Sequence, residues 1–270
     1  MRLPALLVLS TALAIAGVPR SAYCQQTTPL AQAPVPELEI DSDPAQPVFL
    51  SVRPEFYSIR EDVEQRALIL RYDARLFSGV RIGRGAPGVV LRFEVPFASA
   101  EINDVRTSGL GDSYAQFFIM PYARNAGAFL FAVGSGFLLP TASDERLGAG
   151  KWIVAPVAAP IWRFPGGLFL IKLQNLTSVA GDSSKPDVNY FLFTPIYAHV
   201  IGTRWWIQAD TETKTKWTDE GRTGVKSGVQ FGRRFGRGLG VWLKPEVWWG
   251  PNRDGRWNLK FGFVWYERRK

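Results

Sequence analysis

The chain has 270 residues, with 26 Gly, 19 Pro, 18 Phe and 10 Trp but a single Cys and a single His. Lys and Arg number 32 against 24 Asp and Glu, a formal charge of +8, and 46% of residues are hydrophobic. So apolar and aromatic a chain is not disordered, one cysteine excludes a disulfide or thiolate-zinc scaffold, and one histidine removes most metal triads.

Arg2 supplies a positive start, and Leu3 to Val18 is apolar except for Ser10 and Thr11. Ala22-Tyr23-Cys24 then puts small residues at −3 and −1 of a cut before Gln25. Residues 1–24 are read as a cleaved secretory signal peptide. Tyr23 is too bulky for a lipoprotein cut ahead of Cys24, so the cysteine is expected to leave with the signal. Residues 25–47 (QQTTPLAQAPVPELEIDSDPAQP) are rich in Pro, Gln and acids without periodicity, and are read as a disordered periplasmic leader.

From residue 48 onward helix signals nearly vanish and two-residue alternation takes over. Val89, Leu91, Phe93, Val95 and Phe97 share a face opposite Arg92 and Glu94. Phe169, Ile171 and Leu173 oppose Lys172 and Gln174; Trp205, Ile207 and Ala209 oppose Gln208 and Asp210. Val225, Val229 and Phe231 oppose Lys226 and Gln230; Leu239, Val241, Leu243 and Val247 oppose Lys244 and Glu246. Trp257, Leu259, Phe261, Phe263 and Trp265 oppose Lys260. Strands are predicted near 48–58, 66–74, 88–97, 112–122, 127–138, 150–160, 166–178, 188–199, 203–212, 223–233, 238–248 and 256–266. Most have the roughly 9–11 residues that a tilted strand needs to cross a bilayer.

Short connections at 123–126, 161–165, 200–202 and 234–237 alternate with longer polar ones at 98–111, 139–149, 179–187, 213–222 and 249–255. Tight periplasmic turns and longer external loops give outer-membrane barrels this asymmetry. The connection 75–87 is long where a turn is due. The fold expected over 48–270 is therefore all-β, an antiparallel transmembrane β-barrel of about 12 strands in the bacterial outer membrane. A secreted β-sandwich also alternates, but it does not set tryptophans at strand ends.

The charge settles in the same picture. Residues 201–270 carry 15 basic and 7 acidic residues, together with eight of the ten tryptophans. A basic, Trp-rich exported segment points to a membrane–water interface and away from nucleic acid.

Several motifs have plain readings. Gly83-Arg84-Gly85-Ala86-Pro87-Gly88 matches a dinucleotide fingerprint, but a strand follows it where that fingerprint needs a helix, so its glycines are read as turn residues. Gly232–Gly240 is a basic hairpin turn within reach of lipid phosphates. His199 closes an aromatic strand with no serine beside it; only Ser227 is left as a partner for lipase-type chemistry, and the enzyme reading is set aside. Asp210 and Glu212 are expected to balance Lys226 or Lys244 across the lumen. The segment ends in an amphipathic aromatic strand closed by Trp265 and Tyr266, the kind that barrel-insertion machinery reads.

Gly109-Leu110-Gly111-Asp112, Phe137-Leu138-Leu139-Pro140-Thr141 and Leu147-Gly148-Ala149-Gly150-Lys151-Trp152 occur in that order. Ser178-Val179-Ala180-Gly181-Asp182 and Val188-Asn189-Tyr190 follow. The ordered set resembles the MetA-pathway of phenol degradation family of bacterial outer-membrane barrels over roughly 50–266. The resemblance implies a channel or transporter, with no catalytic residues to carry over.

The expected function is an outer-membrane channel for small, apolar or aromatic solutes of unknown identity, without enzyme activity, cofactor or metal. Outer-membrane lipids and the insertion machinery are the expected partners. Arg71, Asp73, Arg92, Glu94, Gln116, Lys172, Gln174, Gln208, Asp210, Lys226, Gln230, Lys244, Glu246 and Lys260 are the candidate lumen-lining residues. Both signs of charge occur among them, which does not suit a single-sign ion filter. A twelve-stranded lumen is narrow, and side chains or the 25–47 leader are expected to fill much of it. The alternatives are a non-transporting structural or lipid-interacting barrel, and a lipid hydrolase built on His199.

Overall fold

The computed structural model describes residues 48–266 except 61–62, 78–82, 85, 103, 125–126 and 237. The expected signal peptide and the 25–47 leader lie outside the described residues, as does the tail after Tyr266.

Thirteen strands form one antiparallel sheet: β1 Val48–Arg60, β2 Val63–Leu76, β3 Ala86–Ile102, β4 Val105–Leu110, β5 Ser113–Arg124, β6 Phe129–Leu139, β7 Lys151–Phe164, β8 Gly167–Gly181, β9 Asn189–Ile201, β10 Trp205–Lys216, β11 Arg222–Phe235, β12 Leu239–Trp249 and β13 Trp257–Tyr266. Neighbours in sequence pair in space, and β1 pairs β13 from Val48↔Tyr266 to Ser58↔Trp257, which closes the ring. Strands β4 and β5 both pair β3, and are one barrel stave interrupted at Gly111-Asp112. The barrel therefore has twelve staves.

One end of the barrel holds Val48, Tyr266 and the turns at 165–166 and 202–204; the other holds the connections at 140–150, 182–188, 217–221 and 250–256. These are called the terminal end and the loop end. Tight turns at the terminal end rest on positive-φ glycines, such as Gly166 (φ 79°) and Gly202 (φ 62°), where a side chain would be strained.

Three boundaries differ from the sequence expectation. Residues 98–111, expected as a loop, continue the β3–β4 hairpin beyond the apolar band, with Glu101 opposite Arg106 and Arg106 Nε donating to Ser99 Oγ at 3.2 Å. Polar pairs hold this extension, so it carries no apolar stripe to read. The first connection shrinks to residues 61–62, because β1 and β2 run further than 48–58 and 66–74. The long connection after β2 lies at the terminal end, and Gly83 there packs on the Pro121 carbonyl while β3 begins within the glycine motif at Ala86. No helix follows, as a dinucleotide site requires.

The alternation partitions the two faces. On β13, Trp257, Phe261, Phe263 and Trp265 are exposed, whereas Asn258, Lys260 and Val264 are buried. Exposed aromatics band the terminal end of the outer face: Phe129 meets Trp162 (5.5 Å between centroids), Trp162 meets Phe169 (5.7 Å), and Phe164 stacks on Tyr197 (5.7 Å). No described helix is long and apolar enough to span a membrane.

Candidate functional site

In a single closed sheet a side chain on the inner face is the one that loses solvent, and here those side chains are polar. All fourteen sequence-nominated residues, from Arg71 to Lys260, are buried, none more than 9% exposed. They form a belt around the middle of the barrel, organised by ion pairs between staves.

On β1–β3 the cations are arginines. Arg53 pairs with Glu55 and, at 3.4 Å, with Glu94. Arg71 grips Asp73 through Nε (2.9 Å) and Nη2 (2.5 Å), and Arg92 Nε reaches the same carboxylate at 3.2 Å. On β8–β13 they are lysines. Lys172 and Lys226 flank Glu212 at 3.8 and 3.6 Å; Lys244 lies 2.9 Å from both Asp210 and Glu246, and Lys260 3.0 Å from Glu246. The Lys244–Asp210 pair passes over β11 at Gly228. A Cβ there would sit 2.8 Å from Glu246 Cγ and 3.0 Å from Lys244 Cε, so glycine makes the crossing possible. Glu212 and Asp210 thus balance Lys226 and Lys244 respectively, as the sequence suggested. Small residues (Ala132, Gly136, Ala155, Val157, Ala159) line β6 and β7 across the ring.

An apolar cluster bounds the belt at each end. At the terminal end Trp206, Trp242, Val264 and Tyr266 pack together. Trp206 lies flat on Gly232 and Trp242 on Gly262, where a Cβ would fall 2.0 Å from the indole. These two tryptophans correct the sequence reading, which assigned the Trp-rich last third to the interface. Trp205 is there, but Trp206 and Trp242 point inward, each on the face of a buried polar residue two positions away. At the loop end Tyr114, Leu138, Ile153, Leu176, Tyr190 and Leu192 form the second cluster.

The connection 140–150 folds over that second cluster and is pinned by Asp112. Its carboxylate accepts from the Ala142 N–H (3.1 Å) and the buried Ala149 N–H (2.6 Å). Burial raises the Asp112 carboxyl above its ordinary value, and these N–H groups oppose that shift. Leu110 and Ser143 exchange hydrogen bonds, Thr141 Oγ1 donates to the Gly111 carbonyl at 3.1 Å, and Asp182 N donates to the Gly150 carbonyl at 2.9 Å. Lys151 Nζ meets Asp187 Oδ1 at 2.9 Å and holds that exposed carboxyl below its usual range. The separated motifs 109–112, 139–141, 147–152 and 178–190 therefore converge on one loop-end cap.

Missing from the nominated set were Ser51, Arg53, Glu55, Thr194, Glu212 and Asn258, all buried on the same belt. Ser51, Arg53 and Glu55 alternate with Val52, Pro54 and Phe56, so the two-residue period was present to find them. His199 stacks on the outer aromatic band, 6.1 Å from Phe164 and 6.3 Å from Tyr197. It lies opposite Ile207, which lies opposite Phe231; Ser227 is two strands away and four residues, roughly 13 Å, along the strand. Ser227 Oγ instead bonds Thr211 Oγ1 and Trp249 Nε1, both at 3.0 Å. A serine–histidine pair requires contact near 3 Å, which this register forbids. Among the described residues no three His, Cys, Asp or Glu side chains gather as a metal site.

Among solved structures, the COG4313 outer membrane channel from Pseudomonas putida F1 is similar at TM-score 0.68 and 12% identity, over 87% of this chain and 100% of that one. The chain has the fold of an outer-membrane β-barrel. NanC porin (TM-score 0.53, 10% identity) and KdgM porin (TM-score 0.51, 9% identity) also match, each over 81% of this chain and 100% and 99% of theirs. No protein-family model and no curated protein matches the sequence. At such identities the likeness is one of fold: a closed barrel, apolar outside and polar within.

Proposed function

We propose that the barrel is an outer-membrane channel for small solutes that combine an apolar or aromatic body with a polar group, and that it belongs to the MetA-pathway of phenol degradation family. The observation that carries the function is the interior: a belt of both charge signs between two apolar clusters, on the inner face of a transmembrane ring. Such a path offers ion pairs that a polar group can exchange with, and aromatic surfaces at both ends for an apolar body. The family reading is supported by the convergence of its ordered motifs on the Asp112 cap. Single-channel recording and liposome swelling test the channel; the absence of both current and solute uptake would overturn it.

A second reading, a non-transporting structural barrel, is favoured by the density of the interior, where Glu94 and Gln230 are 0% exposed. Trp242→Ala separates the two. Removing the indole from the terminal-end cluster raises conductance if that cluster limits passage, and changes nothing if the interior is a filled core.

A further inference from the structure

At the loop end, outside the buried belt, a cleft of about 590 Å3 opens between the ends of β1 and β10 and the connections 217–221 and 250–256. Its volume is that of a small-molecule site. Lys216, Arg222, Arg253 and Arg256 line it, against the carboxylates of Asp219 and Asp254. Lys214 and Lys216 both bind Asp254, at 3.0 and 2.5 Å, so one carboxylate is shared by two ammonium groups. Arg222 lies 3.5 Å from Asp219, and exposed Arg253 makes no ion pair among the described residues. Counting Lys214 beside it, the described residues of the cleft supply five cations and two anions. Burial would raise the Asp254 carboxyl, but the two lysines outweigh it and hold the group below its usual range, so the acid stays ionised and offsets part of the cationic excess.

The cleft and the interior share one strand face. Lys214 and Lys216 share the β10 face that carries Gln208, Asp210 and Glu212 toward the belt. The Lys214 ammonium also sits 4.2 Å from the centroid of the Tyr190 ring, part of the loop-end apolar cluster. Surplus cations therefore stand beside an aromatic wall at the mouth of the barrel. We propose that this cleft binds small organic anions, a carboxylate or phosphate on a compact body, and admits them to the barrel. A concave site of one charge sign raises the local concentration of counter-ions, and arginine presents paired donors to a carboxylate. The proposal goes beyond the channel reading by naming a ligand class and its site.

Isothermal titration of the purified barrel in detergent tests it, with benzoate, its uncharged analogue benzamide, and inorganic phosphate. Benzoate and phosphate are expected to bind at least tenfold more tightly than benzamide. Lys216→Gln with Arg253→Gln is expected to weaken benzoate at least fivefold. Asp254→Asn, which releases both lysines, is expected to tighten it at least twofold, a gain that a misfolded variant does not produce. Equal binding of benzoate and benzamide, or an unchanged affinity in the double variant, overturns the site. Lipopolysaccharide vesicles form the last arm: binding to them that the double variant abolishes, with no binding of free benzoate or phosphate, assigns the cations to lipid headgroups and overturns the solute site. A barrel that binds benzoate without carrying current refutes the channel and not the cleft; a conducting barrel indifferent to benzoate refutes the cleft alone.

Discussion

Replacing Asp112 by Ala probes whether one carboxylate holds the loop-end cap. Two backbone donors lose their acceptor. The Ala142 N–H is part-buried and water replaces its partner, but Ala149 is only 2% exposed and its N–H is left unpaired. A hydrogen bond to a charged group is worth about 1.5–3 kcal/mol, and an unsatisfied buried donor costs about 1–3 kcal/mol. Part of this is offset, because the substitution also removes the burial that raises the Asp112 carboxyl. The net cost of loosening the connection 140–150 is therefore about 2 kcal/mol, or roughly thirtyfold in its opening equilibrium. Amide hydrogen exchange at Leu147 and Ala149 reads this directly, and tryptic cleavage after Arg146 reads it by a second route. Asp144→Ala is the control for the exchange measurement, since the bonds it removes, from the Arg146 N–H and Nε at 2.9 Å and Nη2 at 3.0 Å, are local. Exchange at Ala149 within threefold of the parent would refute the assignment of Asp112 as the pin.

Three other outcomes are expected. Phe261→Arg puts a charge on the lipid face and costs about 2–4 kcal/mol near the bilayer midplane, measured by denaturant unfolding in vesicles; no loss would mean that this face is not the lipid face. Lys244→Met strips Asp210 and Glu246 of a shared 2.9 Å partner and costs about 3–5 kcal/mol; Asp210→Leu in the same chain restores the Asp210 part of this, while Glu246 keeps Lys260, a cycle read by thermal unfolding. The Lys151–Asp187 pair responds to acid. Asp187 is lowered in the folded barrel, so its contribution is complete above the ordinary carboxylate value of about 3.9 and is lost as pH falls through the lower folded value. Exchange protection at Val188, whose N–H donates to Ser178 Oγ beside Asp187, falls over that window and loses this dependence in Asp187→Asn, while Ser184, held by the likewise lowered Asp182 carboxylate, keeps its own.

How much was legible depends on which physical force fixed each feature. Lipid outside and charge inside impose a period of two, and that period placed Lys172, Gln208, Lys226, Lys244 and Lys260 on one face before any coordinates. The extension 98–110 is held by polar pairs such as Glu101 and Arg106, so no apolar stripe marks it. Trp206 and Trp242 were assigned by residue type, since tryptophan favours interfaces. Their position two residues from Gln208 and Lys244 carried the better information, and glycines on the neighbouring strands, Gly232 and Gly262, leave room for the rings. The Asp112 cap was visible only as scattered motifs. Its hydrogen bonds join residues more than thirty apart, a separation that periodicity does not report.

The pairing of Val48 with Tyr266 has a consequence for assembly. Every other strand pairing among the described residues joins segments that neighbour in sequence, whereas this one closes a loop of more than two hundred residues, the slowest kind of contact to form. Until β13 is made, β1 presents an open edge with a row of unpaired N–H and C=O groups beside an aromatic face, the form most prone to pair with a neighbouring chain. Closure of the ring is thus the final and most hazardous event in its biogenesis. A truncation that removes β13 is expected to yield aggregates and not a smaller barrel.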